Sequence, residues 1–147
     1  MNYKVKQPDE HLGFLLTQVS FLKQRIINAA LKEIDITYIQ FVILAGVLEL
    51  GEQEEFISQQ TIASKRRLDK AMVSTVVKSL IARKLMLRQP HPADKRAYIL
   101  SLTAEGETKA LRGKEIALEI DKKFFVDIMD NRYLLKIFKK LLLNNEE

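Results

Sequence analysis

The sequence predicts a mainly α-helical protein with one small β-hairpin, in which six helices are built around a single core. Apolar residues recur every three or four positions over most of the chain, which is typical of amphipathic helices. The period changes to simple alternation only between residues 85 and 102. With 147 residues, 47% of them apolar, the chain is long enough for one core and too short for a second independent one.

The first two predicted helices lie on either side of Thr37. An amphipathic helix is predicted from Leu12 to Ile34, and it would extend about 35 Å, more than one small domain can cover. Thr37 is a suitable N-cap for the second helix, which runs to Leu50 and is followed by Gly51. Because this second helix carries apolar residues on several faces, we expect it at the centre of the core.

The next two helices form a close pair joined by a basic turn. Ser58 is the expected N-cap of a short third helix, and Asp69 is the expected N-cap of a fourth helix over residues 69–84. The third helix buries Ile62 and Ala63. In the fourth, an apolar stripe is predicted to face the core: Val73, Val76, Val77 and Leu80. The opposite face is short, polar and cationic.

A hairpin and two further helices complete the chain. Leu85 and Leu87 begin one alternating strand and residues 98–102 form the other, with a turn-rich, charged segment between them. Thr103 then caps a fifth helix whose apolar positions continue to Ile128, and a sixth helix covers residues 133–143. The first, fifth and sixth helices carry more apolar surface than a small core can cover, which favours burial against a second copy of the chain.

Positive charge is concentrated in residues 65–96, where ten Lys and Arg residues face only two acids, a net charge of +8 in a chain of +5 overall. Such a local field suits a polyanion. A short helix, a tight turn, a second helix with a polar outer face and a basic hairpin together form a winged helix-turn-helix, whose second helix enters the DNA major groove. We therefore expect an N-terminal dimerisation helix (1–36), a DNA-binding domain (37–102) and C-terminal dimerisation helices (103–147).

Position divides the candidate DNA contacts into three groups. Cations in the turn are expected to neutralise phosphates, residues on the outer face of the fourth helix to meet base edges or the flanking backbone, and the wing, residues 88–98, to reach the minor groove through Arg96. Asp94 is expected to hold the Arg96 guanidinium in position. The predicted DNA-binding residues are Lys65, Arg66, Arg67, Lys70, Ser74, Thr75, Lys78, Lys95 and Arg96.

Enzymatic, metal-binding and membrane functions find no support in the sequence. The chain has no cysteine, and His11 and His91 lack metal-ligand spacing. No glycine-rich phosphate loop or nucleophile motif is present, so we expect neither a cofactor nor catalysis. The first ten residues are polar and the longest apolar run, residues 41–48, is too short for a membrane span. A cytoplasmic protein is expected.

The residues that form this pattern resemble the multiple antibiotic resistance regulator (MarR) family over essentially the whole chain. The hairpin signature, Asp94-Lys95-Arg96 shortly before Leu102-Thr103-Ala104-Glu105-Gly106, is the most specific part of the resemblance. It implies a homodimer that places two winged domains on a palindromic operator, typically represses transcription and commonly releases DNA when a small ligand binds. The sequence departs from the family at Thr75, where many members have Arg, and at Lys84, where Gly often ends the recognition helix.

A second interpretation stays open at this point. The basic face of a winged helix can dock on an acidic protein partner, with DNA affinity only incidental. The two functions differ in one measurable respect, because a sequence-specific DNA-binding protein prefers one duplex over random duplexes, whereas the protein-interaction module does not.

Overall fold

The structure, a computed structural model, describes residues 10–128 and 131–146, so the first nine residues of the predicted dimerisation segment lie outside it. In that part of the chain, six α-helices and one hairpin follow the predicted order, with a short 3₁₀ helix at Lys32–Ile34. The elements are α1 (Leu12–Leu31), α2 (Tyr38–Leu50), α3 (Gln59–Arg66), α4 (Lys70–Ala82), β1 (Met86–Pro90), β2 (Tyr98–Leu102), α5 (Ala104–Phe124) and α6 (Asn131–Asn144).

Side-chain caps define where four of the helices begin. Thr37, Ser58, Asp69 and Thr103 each accept a hydrogen bond from the backbone N–H three residues later, at 2.9 to 3.2 Å. Thr37 also receives the reciprocal contact of a capping box, since its own N–H donates to the Gln40 side chain. All four predicted N-caps are thus confirmed. The sequence could predict them because a cap is a local interaction between residues three positions apart.

Two helices end earlier than their apolar patterns predicted. α1 ends at Leu31, and the chain tightens into the 3₁₀ turn before Asp35, whose φ of 54° is left-handed and cannot continue a helix. Ile34 still packs against the core from that turn, which is why the apolar pattern runs past the end of the helix. α5 ends at Phe124, so Ile128 lies beyond the helix and is about half exposed.

α2 lies at the centre of the core, as predicted. It contacts α1, α3, α4, α5 and β2, and most of its residues between 41 and 47 are buried. The predicted apolar stripe of α4 also faces inward, where Val73, Val77 and Leu80 are fully buried and Val76 is half-buried. The polar face of α4 is thereby directed outward.

The hairpin forms as predicted, but its first strand is shifted by one residue. β1 and β2 pair antiparallel with Met86 opposite Leu102, and Met86 rather than Leu87 points into the core. Leu87 is 48% exposed. The cause is Lys84, whose left-handed φ of 59° turns the chain before the strand, so the alternation starts one residue later than the sequence pattern indicated.

The junction of α4, β1 and α5 explains the Thr103 and Gly106 signature. The Thr103 hydroxyl donates to the Lys84 carbonyl at 2.8 Å and accepts from the Gly106 N–H at 3.0 Å. Its own N–H donates to the Leu85 carbonyl at 3.2 Å. A Cβ at Gly106 would lie 1.9 Å from that carbonyl oxygen, so only glycine allows α5 to start this close to the hairpin.

None of the helices in residues 10–128 and 131–146 combines the length and the apolar character that crossing a membrane requires.

Candidate nucleic-acid interface

The basic window folds into one outward face made of α3, α4 and the hairpin. α3 packs against α4 through the tight turn, where Arg67 adopts a left-handed φ of 53°. Lys65, Lys70, Thr75 and Lys78 are all exposed. Lys70 lies beside Gln59 and Gln60 at the start of α3.

An open groove of about 340 Å³ runs between α4 and the wing. Ser74 and Lys78 line it from α4, and Arg96 lines it from the wing, so residues from two of the three predicted groups share one concave surface. The remaining lining residues are Ser58, Gln59, Gln60, Arg88, Ala97 and Tyr98. The groove is rich in hydrogen-bond donors and carries three cationic side chains.

Arg88 is a cationic residue of this groove that the sequence interpretation did not single out. Its guanidinium stacks over the Tyr98 ring, 4.4 Å from the ring centroid. The two residues are diagonal neighbours across the hairpin, because Arg88 pairs with Leu100 and Tyr98 pairs with Pro90. The contact between Arg88 and Tyr98 depends on the register in which β1 pairs with β2, and the sequence pattern alone did not specify that register.

Arg66 forms an ion pair within the fold that the sequence did not predict, and 31% of its side chain stays exposed. Its guanidinium donates to the Glu49 carboxylate at 2.6 Å, and Lys114 of α5 lies 3.3 Å from the other oxygen of the same group. Burial raises the pKa of the Glu49 carboxyl, but the hydrogen bonds and the positive charges of Arg66 and Lys114 together outweigh burial and hold this pKa below its usual value. Arg66 thus links α3 to α2 and α5.

The other two cations of the turn, Lys65 and Arg67, differ in their ion pairing. Lys65 is exposed and forms no ion pair within the described part of the chain. Arg67 pairs with Glu146 beyond the end of α6, and both side chains of this pair are about half exposed. A solvent-exposed pair of this kind contributes little and exchanges readily, so Arg67 remains accessible to another anion.

Asp94 organises the wing tip through the backbone. Its carboxylate accepts a hydrogen bond from the Arg96 N–H at 2.9 Å, and among the described residues it forms no ion pair with the Arg96 guanidinium. The carboxylate thus binds the main chain where a contact with the guanidinium was expected, because the short turn aims it at the backbone. The role of Asp94 in orienting the wing stays a prediction. The side chains of Lys95 and Arg96 are left exposed.

A separate polar cluster fixes the far end of α4. Arg83 donates to the carbonyl and to the carboxylate of Asp35, at 2.6 and 3.0 Å, and to the Gln40 side chain at 3.2 Å. Asp35 lies in the turn that connects α1 to α2. This contact ties the orientation of α4 to the end of α1.

Within the described residues no group of three or more His, Asp or Glu side chains is arranged to hold a metal ion. The mostly helical core, the basic helix-turn-helix and the charged hairpin define the class of winged helix-turn-helix proteins.

Comparisons with known proteins identify the family within this class. The profile of the MarR family matches residues 36–98. The chain is 34% identical over 139 residues to the uncharacterized HTH-type transcriptional regulator YdcH of Bacillus subtilis, and 95% of each chain is covered. The chain belongs to the MarR family. It is a DNA-binding transcriptional regulator and not an enzyme.

Solved structures confirm the fold. A mutant of Escherichia coli MarR, complexed with operator DNA, superposes with a TM-score of 0.80 at 22% identity, covering 89% of this chain and 93% of that one. Bordetella bronchiseptica BpsR, whose DNA binding is regulated by 6-hydroxynicotinic acid, superposes with a TM-score of 0.81 at 21% identity, covering 97% of this chain and 99% of that one.

Proposed function

We propose that the protein is a cytoplasmic, homodimeric repressor that reads a palindromic operator, with α4 in the major groove and the wing, residues 88–98, at the adjacent minor groove. One observation carries this proposal, namely the groove in which Ser74 and Lys78 of α4 meet Arg96 of the wing on one exposed, cationic surface. A surface that joins a helix and a hairpin in this way matches two neighbouring grooves of a duplex. The likeness in fold to a MarR mutant complexed with operator DNA supports a DNA-binding role.

The residues of this surface take different roles in the proposal. Lys65, Arg67 and Lys95 neutralise phosphates, because their side chains are cationic and exposed. Lys70 and Lys78 lie on the outward face of α4 and reach the base edges or the flanking backbone. Arg66 is assigned no DNA contact, since its guanidinium already binds the Glu49 carboxylate.

Ser74 and Thr75 supply hydroxyl groups to the reading face. The Thr75 hydroxyl donates to the Ala71 carbonyl at 3.1 Å, so its remaining lone pairs are available to accept a hydrogen bond from a base. Ser74 lines the groove, where its hydroxyl can either donate to a base or accept from one. With Thr75 in place of a guanidinium, base discrimination at this position is expected to be modest.

Selection of bound duplexes from a random pool tests the operator proposal directly. We expect an enriched palindrome whose half-sites are about 10 base pairs, or a multiple of that, apart. On the selected operator, Arg96→Ala should weaken binding about tenfold when the flanks are A·T-rich and less when they are G·C-rich, since a guanidinium senses minor-groove width. Ser74→Ala and Thr75→Ala should change the preferred bases.

The alternative function, docking on an acidic protein, makes the opposite prediction for the same experiment. Equal affinity for every duplex, with no enriched motif, would favour it. Unchanged DNA binding in all three variants, Arg96→Ala, Ser74→Ala and Thr75→Ala, would contradict the proposed reading surface.

Dimerisation through residues 1–36 and 103–147 is supported by the apolar side chains that the single chain leaves exposed. A stripe along α1 consists of Leu12, Leu15, Leu16, Val19, Leu22 and Ile26, all at least 37% exposed. α6 adds a second apolar surface, made of Tyr133, Leu135, Ile137, Phe138, Leu141, Leu142 and Leu143. A second copy of the chain would cover both surfaces and would place two reading heads on one operator.

Val19→Glu should dissociate this dimer. Val19 is 46% exposed at the middle of the α1 stripe, so a glutamate there stays hydrated in the single chain and becomes an unpaired buried charge only in the dimer. We expect the dissociation constant of the dimer to rise by about 100-fold or more, measured by sedimentation equilibrium. Operator affinity should fall with it, because the two half-sites are then bound independently.

Gln24→Glu is the matched control, since it adds the same charge to α1 about 140° around the helix from Val19. Gln24 is exposed and donates a hydrogen bond to the Ser20 hydroxyl, one turn earlier on the same helix. The Gln24→Glu variant should remain dimeric. A dimer that resists Val19→Glu would exclude the α1 stripe as its interface.

We also propose that a small molecule regulates DNA binding by this protein, on the basis of its structural likeness to BpsR. Such a ligand can release the operator only if it binds the free and the DNA-bound protein with different affinities. Measuring operator affinity with and without 6-hydroxynicotinic acid is the first experiment this likeness suggests.

A further inference from the structure

His91 occupies the start of the wing tip and makes three kinds of contact there. Its backbone N–H donates to the Ala97 carbonyl at 3.1 Å and closes the hairpin. Its ring nitrogen Nδ1 accepts from the N–H groups of Ala93 and Asp94, at 3.0 and 3.1 Å. The ring also meets Phe56 edge to face, with the ring centroids 5.0 Å apart.

The two hydrogen bonds to Nδ1 determine the course of the chain through the tip. Pro92 has no N–H, so Ala93 and Asp94 carry the first two amides after His91, and both point at the imidazole. Because Nδ1 accepts, the ring proton lies on Nε2. An asparagine at the start of a turn holds the amides two and three residues later in the same manner, and the histidine here takes that role.

The contact with Phe56 connects the tip to the body of the domain. Phe56 lies in the connection between α2 and α3, and the carbonyl of the next residue, Ile57, accepts from the Leu100 N–H of β2 at 2.7 Å. The following residue, Ser58, caps α3 and lines the groove. The imidazole is therefore held from one side by a segment that also carries the edge of the groove.

We propose that His91 is a positioning residue for the wing, which holds the tip so that Arg96 is already aimed at the minor groove before DNA binds. The inference rests on the proposed role of Arg96 and adds a residue that acts through it without touching DNA. Two side chains then fix the backbone of the tip. His91 accepts hydrogen bonds from the amides of Ala93 and Asp94, and Asp94 accepts one from the amide of Arg96. A tip ordered in advance loses less conformational freedom on binding.

Two substitutions separate the acceptor from the ring. His91→Phe keeps an aromatic ring against Phe56 but removes the acceptor. His91→Asn removes the ring but places Oδ1 the same number of bonds from Cα as Nδ1, so it can accept from the same two amides. We expect His91→Phe to weaken binding to an A·T-flanked operator about tenfold and to speed hydrogen exchange at the amides of Ala93 and Asp94 in the free protein. His91→Asn should retain most of the affinity and of the protection.

A double-mutant cycle with Arg96→Ala distinguishes this inference from the proposed function. If His91 acts through Arg96, adding His91→Phe to Arg96→Ala should cause no further loss of affinity. Should Arg96→Ala alone leave binding unchanged, the proposed wing contact fails.

The positioning role of His91 has its own contradicting outcomes. If Arg96→Ala weakens binding but His91→Phe does not, or if the two losses simply add, His91 does not act through Arg96. If His91→Asn binds as weakly as His91→Phe, the acceptor at this position is not what orders the tip. Thermal unfolding of each variant verifies that the exposed tip was changed without loss of the fold.

Discussion

Raising the salt concentration from about 50 to 200 mM should weaken operator binding by roughly 10³ to 10⁵. This loss follows if the dimer contacts about six to ten phosphates, because each neutralised phosphate releases counterions whose return is favoured by added salt. The surface described above offers enough cations for that number, since Lys65, Arg67, Lys70 and Lys95 of each protomer are all accessible to solvent. Fluorescence anisotropy on a labelled operator across a salt series measures the slope.

A pair of lysine variants makes this prediction specific to the surface. Lys65→Gln removes one phosphate contact per protomer, so the slope of log affinity against log salt should become shallower by about two units for the dimer. Lys123→Gln is the control, because Lys123 is also exposed but lies near the end of α5, outside the basic window. Equal slopes for the two variants would mean that DNA does not contact the turn between α3 and α4.

Gly106→Ala should lower the free energy of unfolding by about 3 kcal/mol or more. The added Cβ would sit 1.9 Å from the Leu85 carbonyl oxygen, far inside contact distance. That carbonyl cannot move away freely, because it accepts from the Thr103 N–H while the Thr103 hydroxyl holds the Lys84 carbonyl. The start of α5 must therefore separate from the hairpin, and thermal unfolding should shift down by roughly 10 °C.

Gly13→Ala provides the comparison within the same chain. Gly13 lies in the first turn of α1 and a Cβ there would meet nothing within 4 Å. Alanine is the better helix former by up to about 1 kcal/mol, so this variant should be as stable as the parent or slightly more stable. Both variants need the same protein concentration, since dimerisation adds to apparent stability. If Gly106→Ala unfolds at the parental temperature, the close approach is not what requires glycine.

The sequence by itself determined the features of this protein that depend on local interactions. Thr37, Ser58, Asp69 and Thr103 begin their helices because each cap binds an amide only three residues away. The inward face of α4 follows from helical periodicity, and the basic window follows from the composition of residues 65–96. These features were sufficient for the winged helix-turn-helix fold and for the family.

Only the tertiary structure decided which of two neighbouring residues of similar chemistry is buried or paired and which is exposed. Lys65 and Arg66 are adjacent cations, yet Arg66 is withdrawn by Glu49, 17 positions earlier, and Lys65 is left exposed. The left-handed turn at Lys84 moved the buried strand position from Leu87 to Met86. Likewise, the ring of His91 is held by Phe56, which lies in the distant connection between α2 and α3. Such contacts arise when distant segments pack together, and a local pattern contains no information about which segments those are.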